Sequence, residues 1–187
     1  VIGNLQNAFE NIVDVEFSAM TQKAGMSVAV YADDTLWNYA TGKASELSEM
    51  TIHTPLMISS TSKTVLSALV LTQIENGLYK LEDTLGSTLS GDLQFQSFNP
   101  TIINADITIQ ELLTMSSGLG NYNHNVQGKI ELIRKSHLRP ADLIKLITSP
   151  YNPPGMFEYN DTNVVLLGMV AEWHSDQRLA NLYRQIF

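Results

Sequence analysis

The long apolar stretch that follows Ser60 and Lys63 most constrains how this chain folds. Its apolar residues recur at helical spacing, which predicts a helix that ends at Gly77. Residues three apart in a helix lie on the same face, so the Lys63 ammonium is expected beside the Ser60 hydroxyl. The apolar positions that define the pattern are Val65, Leu66, Leu69, Val70 and Ile74.

The pairing of Ser60 with Lys63 has two interpretations. A serine hydroxyl becomes a nucleophile when a neighbouring base removes its proton, and a desolvated lysine is one of the few side chains able to do so. In the alternative, Ser60 caps a core helix and Lys63 points to solvent. A chain of this composition matches the pattern Ser-x-x-Lys about once by chance, so the spacing alone does not decide between them.

A second segment places Tyr159 shortly before a helix. A Pro-Gly turn at residues 154–155 precedes it, and an apolar helix is predicted from Val164 to Val170. The segment therefore predicts a rigid loop that presents the Tyr159 side chain. Taken alone, such a tyrosine is typically a half-buried packing residue.

Together, the two segments closely resemble those of the serine β-lactamase and penicillin-binding protein superfamily. The nearest branch contains class C β-lactamases, D-alanyl-D-alanine carboxypeptidases and related esterases. Four blocks carry the resemblance, and their order and spacing follow the family over most of the chain. They are Ile-Ser-Ser-Thr-Ser-Lys-Thr at 58–64, Glu-Asn-Gly-Leu-Tyr-Lys-Leu-Glu-Asp at 75–83, Ile-Thr-Ile-Gln-Glu-Leu-Leu-Thr-Met-Ser-Ser-Gly-Leu at 107–119 and Asn-Val-Val-Leu-Leu-Gly at 163–168.

The resemblance implies an acyl-transfer site in which Ser60 is the nucleophile. Lys63 would serve as its base only if burial or a cationic neighbour lowered the Lys63 pKa. By resemblance, Tyr159 shares the proton transfer, since a phenolate beside Lys63 could take the serine proton and return one to the leaving group. The Ser60 backbone N–H, at a helix N-terminus, would provide one oxyanion donor.

Asp161 stands where relatives usually carry asparagine, and by position it belongs to substrate binding. An amide can donate to a substrate carbonyl, whereas a carboxylate cannot donate and favours the ammonium form of Lys63. We therefore expect Asp161 to raise the pKa of Lys63. This disfavours efficient β-lactam hydrolysis and leaves slower esterase or peptidase chemistry open, with Tyr159 as the main base. Asn160 or Asn163 is an alternative source of the missing amide.

The third motif of the family, Lys-Thr-Gly or His-x-Gly on a strand, does not occur after Tyr159. In relatives that strand supplies the second oxyanion donor. The last stretch, residues 175–187, predicts an amphipathic helix that in relatives lies in mid-domain. We therefore expect the C-terminal strands to be absent from this chain, and the chain alone to be feebly active. It would be a fragment, a half completed by a second polypeptide, or a degenerate short relative.

Charge and composition exclude several other classes of protein. A net charge of −8 and a pI near 4.8 argue against a nucleic-acid partner, because a phosphate-binding surface needs clustered basic residues. No apolar run approaches the ~20 residues of a membrane span. The chain has no cysteine, and its histidines lack metal-ligand spacing, so we expect no metal and no other cofactor. These histidines are His53, His124, His137 and His174.

The remaining patterns predict helices and a hairpin. Apolar positions from Leu5 to Phe17 predict an opening helix, and extended segments on either side of Asp33-Asp34 predict a hairpin over Met26–Ala32 and Leu36–Ala40. Two further short helices are expected, one at the capping box Thr108-x-x-Glu111 and one running from Pro140 to about Ile147. Gly118 is expected to be a helix C-cap and turn.

These elements and the resemblance together predict an α/β plus α fold of the β-lactamase/transpeptidase type, with an antiparallel sheet flanked by helices and a helical region. Residues 1–60 would hold the first helix and strands. Residues 61–160 would be mainly helical and include the active-site helix. Residues 161–187 would return toward the α/β part.

Two functions follow from the sequence. The first is a serine hydrolase that forms an acyl-enzyme with an ester, an amide, a D-amino-acid peptide or a β-lactam, and thus acts on a small molecule or peptide. The alternative is a non-catalytic penicillin-binding-fold module, or fragment, that binds a peptidoglycan-like ligand or a protein partner. The chain begins at Val1 with neither an initiator methionine nor a signal peptide, which is typical of a processed secreted protein or of a trimmed sequence. We expect a secreted or periplasmic protein.

Overall fold

The computed structural model describes residues 2–21, 24–134 and 138–186 of the 187-residue chain. His137, considered above as a metal ligand, and Phe187, at the end of the last predicted helix, lie outside the described residues. The chain forms two compact units, Val1–Ile58 and Ser59–Phe187. The division into residues 1–60, 61–160 and 161–187 stays a prediction.

The first unit combines one helix with a three-stranded antiparallel sheet. Helix α1 (Ile2–Ala19) is followed by strands β1 (Gly25–Ala32), β2 (Thr35–Ser45) and β3 (Ser48–Glu49), in the spatial order β1-β2-β3. Asp33 and Asp34 both have positive φ, 50° and 56°, the backbone form of a two-residue hairpin turn that matches the strand twist. The predicted opening helix and hairpin are confirmed, although β2 continues past Ala40 to Ser45.

A small aromatic core holds α1 on the hairpin. Trp37 and Val13 are buried, and the ring centroids of Phe9 and Trp37 lie 5.2 Å apart. At the edge of this core, the Tyr39 hydroxyl donates to the Asp14 carboxylate, with oxygen distances of 3.0 and 3.1 Å. Side-chain packing and the Tyr39–Asp14 contact therefore join helix and sheet within this unit.

The second unit consists of helices and the loops that connect them. Its helices are α2 (Ser62–Glu75), α3 (Leu85–Thr88), α4 (Leu93–Gln96), α5 (Ile109–Leu113), α6 (Val126–Ile133), α7 (Pro140–Ile144), α8 (Asp161–Ser175) and α9 (Leu179–Ile186). The two longest, α2 and α8, contact each other and contribute Leu69, Val70, Leu166 and Val170 to the buried core. No helix in the described ranges is long and apolar enough to cross a membrane.

A buried polar contact fixes α2 against α8. The Gln73 side chain donates to the Ala171 carbonyl at 3.1 Å and accepts from the Tyr79 hydroxyl at 2.6 Å. Burial raises the pKa of Tyr79 far above its ordinary value, so its hydroxyl stays a donor. Because Gln73 has partners at both ends of its amide, one axial register of α2 against α8 is preferred. That register sets where the N-terminal ends of the two helices lie.

Two local predictions are wrong. The helix from Pro140 ends at Ile144 rather than near Ile147, because the chain continues in tighter turns whose N–H groups bond three residues back. Gly118 is not a helix C-cap: α5 ends earlier, and Met115 takes the left-handed position beyond it, with φ of 57°.

The capping box at the start of α5 is confirmed. The Thr108 hydroxyl accepts from the Glu111 N–H at 3.2 Å, and the Glu111 carboxylate accepts from the Thr108 N–H at 2.9 Å. Each partner satisfies a backbone donor that the helix itself leaves unpaired. This short helix is therefore stabilised by its own first turn.

Replacing Thr108 by alanine is expected to lower the free energy of unfolding by about 1 kcal/mol, the usual cost of a lost N-cap. Urea denaturation followed by circular dichroism measures the change. Thr72→Ala is the matched control, because Thr72 lies inside α2, where alanine is the better helix former. The control is expected to be neutral or slightly stabilising. Equal destabilisation of the two variants would contradict the capping role.

Candidate active site

Ser60 lies in a tight turn that leads into α2. Residues Ser59–Thr61 form a single 3₁₀ turn, and the α-helix begins at Ser62, slightly later than the sequence predicts. The turn is closed by the Ser62 hydroxyl, which donates to the Ser59 carbonyl at 2.6 Å. Ser59 has a φ of 45°, a left-handed conformation that L-residues adopt at a cost. The exposed Ser60 hydroxyl is thus held at the entrance to the helix.

Lys63 is turned toward Ser60, as the spacing predicts. Its ammonium donates to the Ser60 hydroxyl at 3.1 Å and lies 2.6 Å from one Asp161 carboxylate oxygen. The same nitrogen is 5.0 Å from the centroid of the Tyr159 ring. The Lys63 side chain is 17% exposed, so the interpretation in which it points to solvent is wrong.

Backbone hydrogen bonds hold the loop that carries Tyr159. The N–H groups of Asn152, Gly155 and Glu158 donate at 2.8 Å to the carbonyls of Gly118, Ser116 and Met115, respectively. Gly118 has a φ of 72°, and a Cβ atom there would lie 2.1 Å from the Asn152 carbonyl oxygen. The close approach of the two segments therefore requires glycine at this position.

Asn160 forms the N-cap of α8 immediately after Tyr159. Its side-chain oxygen accepts from the Thr162 N–H at 2.8 Å, and its amide donates to the Leu119 carbonyl. The next turn continues the contact, because the Thr162 hydroxyl donates to the Gly120 carbonyl at 2.8 Å. Tyr159 is therefore fixed on both sides, by Glu158 before it and by Asn160 after it.

Asn163 completes the buried polar cluster under α8. Its side-chain oxygen accepts from the Ser117 hydroxyl at 2.5 Å, and its amide donates to the Met115 sulfur at 3.3 Å. Asn160 and Asn163 are each only 1% exposed. Their amides are therefore committed to the fold, which contradicts the alternative that either of them presents an amide to a substrate.

Asp161 is the first residue of α8, and both of its carboxylate oxygens are engaged. One oxygen pairs with Lys63, and the other accepts from the side-chain amide of Asn123. The sequence gives no sign of the Asn123 contact. Asn123 lies in a polar loop without a motif and meets Asp161 only through tertiary structure.

Burial and the neighbouring groups act in opposite directions on the pKa of Lys63. Burial is the largest single influence and lowers the pKa of Lys63. Hydrogen bonds to Asp161 and Tyr159, together with their charges, outweigh burial and raise this pKa above its ordinary value. This agrees with the prediction from the sequence that Asp161 raises the pKa of Lys63.

The pKa of Tyr159 shifts in the opposite direction. Hydrogen bonding to Lys63, and then to Ser60, lowers the pKa of Tyr159 below its ordinary value. The structure thus brings together all four residues that the sequence singled out, Ser60, Lys63, Tyr159 and Asp161. The lysine is held as a cation, and the tyrosine is the group whose deprotonation is eased. In the described ranges, no three His, Asp or Glu side chains converge as metal ligands would.

Solved structures with a similar fold include amidohydrolases and a penicillin binding protein. The D-amino acid amidase of Ochrobactrum anthropi SV3, in complex with L-phenylalanine amide, has a TM-score of 0.75 and 19% identity, covering 97% of this chain and 50% of its own. A penicillin binding protein of Bacillus halodurans has a TM-score of 0.70 and 19% identity, covering 93% and 52%. A D-stereospecific amidohydrolase of Streptomyces sp. has a TM-score of 0.65 and 20% identity, covering 86% and 47%.

These similarities show the fold, which is β-lactamase-like as the sequence predicts. The chain spans about half the length of the solved structures that it matches. A family model described as Beta-lactamase matches residues 6–187. No match was found among curated proteins.

Ser59→Gly is expected to raise the free energy of unfolding by about 0.5–1 kcal/mol. The left-handed backbone costs an L-residue roughly 1–2 kcal/mol, and the greater freedom of unfolded glycine offsets part of that gain. Urea denaturation measures the change. The control Ser59→Ala keeps the Cβ atom and is expected to stay within ~0.5 kcal/mol of the wild type. A loss of stability in Ser59→Gly would show that this turn is not strained.

Asp161→Asn is expected to lower the pKa of Lys63, because it removes the carboxylate that favours the ammonium. NMR titration of the side-chain signals in lysine-labelled protein measures this pKa, and Lys63→Arg identifies the signal. Asp106→Asn is the matched control, since it removes the same charge from an exposed residue. An unchanged Lys63 pKa in Asp161→Asn would contradict the ion pair.

The same ion pair makes stability depend on alkaline pH. Because the pKa of folded Lys63 lies above the ordinary 10.5, the pair contributes fully below pH 10.5 and is lost as the pH rises through the folded value. Asp161→Asn is therefore expected to lose less stability than the wild type over this range. Urea unfolding at a series of pH values from roughly 9 to 12 compares the two proteins.

Proposed function

This chain belongs to the Beta-lactamase family, and on that premise we propose that it is a serine hydrolase that forms an acyl-enzyme at Ser60. The observation that carries the proposal is the 3.1 Å hydrogen bond from the Lys63 ammonium to the Ser60 hydroxyl, with the Tyr159 ring centroid 5.0 Å from the same nitrogen. The proposed substrates are esters, amides, D-amino-acid peptides and β-lactams. Each has an acyl carbonyl that a serine hydroxyl can attack.

In the proposed reaction, Tyr159 rather than Lys63 takes the proton from Ser60. Lys63 is protonated beside Asp161, and an ammonium cannot accept a further proton. The Ser60 oxygen forms a bond to the carbonyl carbon while its proton passes to the Tyr159 phenolate. The intermediate then breaks its bond to the leaving group, which takes that proton. Water releases the acyl group by the reverse proton path and regenerates Ser60.

The helix start contributes to the same reaction. The negative charge that develops on the carbonyl oxygen is stabilised by backbone N–H donors and by the positive end of a helix. The Ser60 N–H, at the entrance to α2, is the proposed first donor. The proposed second donor belongs to a strand that, in relatives, carries the third motif. We propose that a further polypeptide segment supplies it.

Amide substrates have support from the fold neighbours. Two of them are described as a D-amino acid amidase and a D-stereospecific amidohydrolase, and a third as a penicillin binding protein. Raising the pKa of Lys63 disfavours rapid β-lactam turnover, so the proposal favours amides and esters of amino acids or short peptides over β-lactams. Such substrates fit a secreted or periplasmic protein, which remains part of the proposal.

A second candidate function is binding without turnover, and one observation favours it. The 2.6 Å pairing of Lys63 with Asp161 keeps the lysine charged, which removes the amine as a base. A module of this kind would hold a peptidoglycan-like ligand or a protein partner without forming an acyl-enzyme. The two functions differ in whether the protein becomes covalently modified.

Intact-mass spectrometry after incubation with a fluorescent penicillin or p-nitrophenyl acetate tests the proposal. The wild type is expected to gain the mass of one acyl group, because single-turnover labelling detects even slow acylation. Ser60→Ala is expected to abolish the labelling. The control Ser90→Ala removes an exposed serine hydroxyl elsewhere in the chain and is expected to label like the wild type.

Two results would contradict acylation at Ser60. One is labelling that persists in Ser60→Ala, which would place the nucleophile elsewhere. The other is a wild type that never becomes covalently labelled but still binds the penicillin reversibly, which would establish the binding function instead.

A further inference from the structure

The Asp161 carboxylate is held at both oxygens, and only one of its partners is a charged group. Oδ1 lies 2.6 Å from the Lys63 ammonium, and Oδ2 accepts from the Asn123 side-chain amide. Rotation about the bond that carries a carboxylate is broad and roughly two-fold. A second fixed donor therefore decides how the carboxylate plane is oriented.

The loop that carries Asn123 is tied to the first turn of α8, where Asp161 lies. The Asn123 N–H donates to the Asn121 side chain at 3.0 Å, and the Tyr122 N–H donates to the Thr162 hydroxyl at 3.2 Å. Thr162 also donates to Gly120 at 2.8 Å. Asn123 and Asp161 are consequently parts of one hydrogen-bonded frame, so the amide does not have to be ordered anew when Lys63 binds the carboxylate.

An amide suits this place chemically. Its N–H donates to a carboxylate without a charge of its own and without a proton to give up, so it does not compete with Lys63. The titratable groups that face Lys63 are Asp161, Tyr159 and Tyr122. Burial, and then the charge of Asp161, raises the pKa of Tyr122, which stays a neutral neighbour.

We infer that Asn123 is a positioning residue of this site, which fixes Asp161 in the orientation that pairs with Lys63 beside Ser60. The importance of Asn123 for acylation rests on the proposed function. The effect of Asn123 on Lys63 is independent of the proposed function, because that effect is present without substrate. Loss of the amide would free the carboxylate to rotate, lengthen the Lys63 contact and change the geometry in which Ser60 meets Tyr159.

NMR titration of Lys63 in the folded, substrate-free protein is the first test, with three variants compared. Asn123→Ala removes the amide. Asn123→Leu also removes it but keeps the volume, and so separates donation from packing. Asn125→Ala is the matched control, because the Asn125 side chain bonds the Leu146 carbonyl and the Gly128 N–H rather than Asp161.

The expected result is a lower Lys63 pKa in both Asn123 variants and a wild-type value in Asn125→Ala. A wild-type value in both Asn123 variants would overturn the inference. So would a wild-type value in Asn123→Leu alone, because packing would then explain the effect of alanine. If Asn123→Ala fails to fold by circular dichroism, Asn123→Leu decides the outcome alone. If Asn123→Leu fails to fold, a wild-type value in Asn123→Ala still overturns the inference.

Acylation kinetics form the second arm of the experiment. Both Asn123 variants are expected to label about 10- to 100-fold more slowly than the wild type, the scale of a small misplacement of reacting groups. Labelling of both Asn123 variants at the wild-type rate would overturn the inference. A wild type that never labels would instead contradict the proposed function and leave the NMR comparison to decide the role of Asn123.

Discussion

The site depends on the buried polar side chains in the first turn of α8. Asn160, Thr162 and Asn163 bond the backbone and side chains of residues 115–120, and all three are almost completely buried. A buried polar group left without a partner costs roughly 1–3 kcal/mol, a large share of the 5–15 kcal/mol that stabilises a typical domain. Among the described residues, the buried side-chain polar atom without a partner is the Trp37 indole nitrogen, which belongs to the other unit. The polar atoms under α8 therefore favour one arrangement, and that arrangement aims Tyr159.

The balance of charge around Lys63 explains why the two candidate bases differ. Burial alone would make this lysine easier to deprotonate, but its neighbours, a carboxylate and a phenol, raise its pKa by more than burial lowers it. Lys63 therefore stays an ammonium. That ammonium in turn lowers the pKa of Tyr159 and eases the loss of its proton. A base works best when its pKa lies near the working pH. The shift at Tyr159 moves in that direction, whereas the shift at Lys63 moves away from it.

Much of this structure was predictable because its causes are local. The helix after Ser60, the hairpin at Asp33-Asp34 and the capping box at Thr108 follow from spacing, turn chemistry and side chains a few residues apart. The Ser60–Lys63 contact is local as well. The family resemblance predicted that Tyr159 and Asp161 lie beside Ser60 and Lys63. No rule of spacing could predict this, since the residues are so far apart in the chain.

The features that sequence did not predict are those decided by distant contacts. The left-handed backbones at Ser59 and Met115 occur at residues with no preference for that conformation. Asn123 is one asparagine among several in its loop, and its role appears only where the loop meets α8. The position of Gly118 reflects the approach of residues 152–153 rather than the end of a helix.

The cluster under α8 also bears on how the site assembles during folding. The Asn160–Leu119 contact closes a loop of 41 residues, whereas the Gln73–Ala171 contact between α2 and α8 closes one of 98. The chain entropy lost on closing the longer loop exceeds that of the shorter by only about 0.8 kcal/mol. When the shorter loop closes first, it forms Tyr159 and Asp161 as a preassembled half-site. Their meeting with Ser60 and Lys63 then becomes the docking of two ordered surfaces rather than a search by four separate side chains.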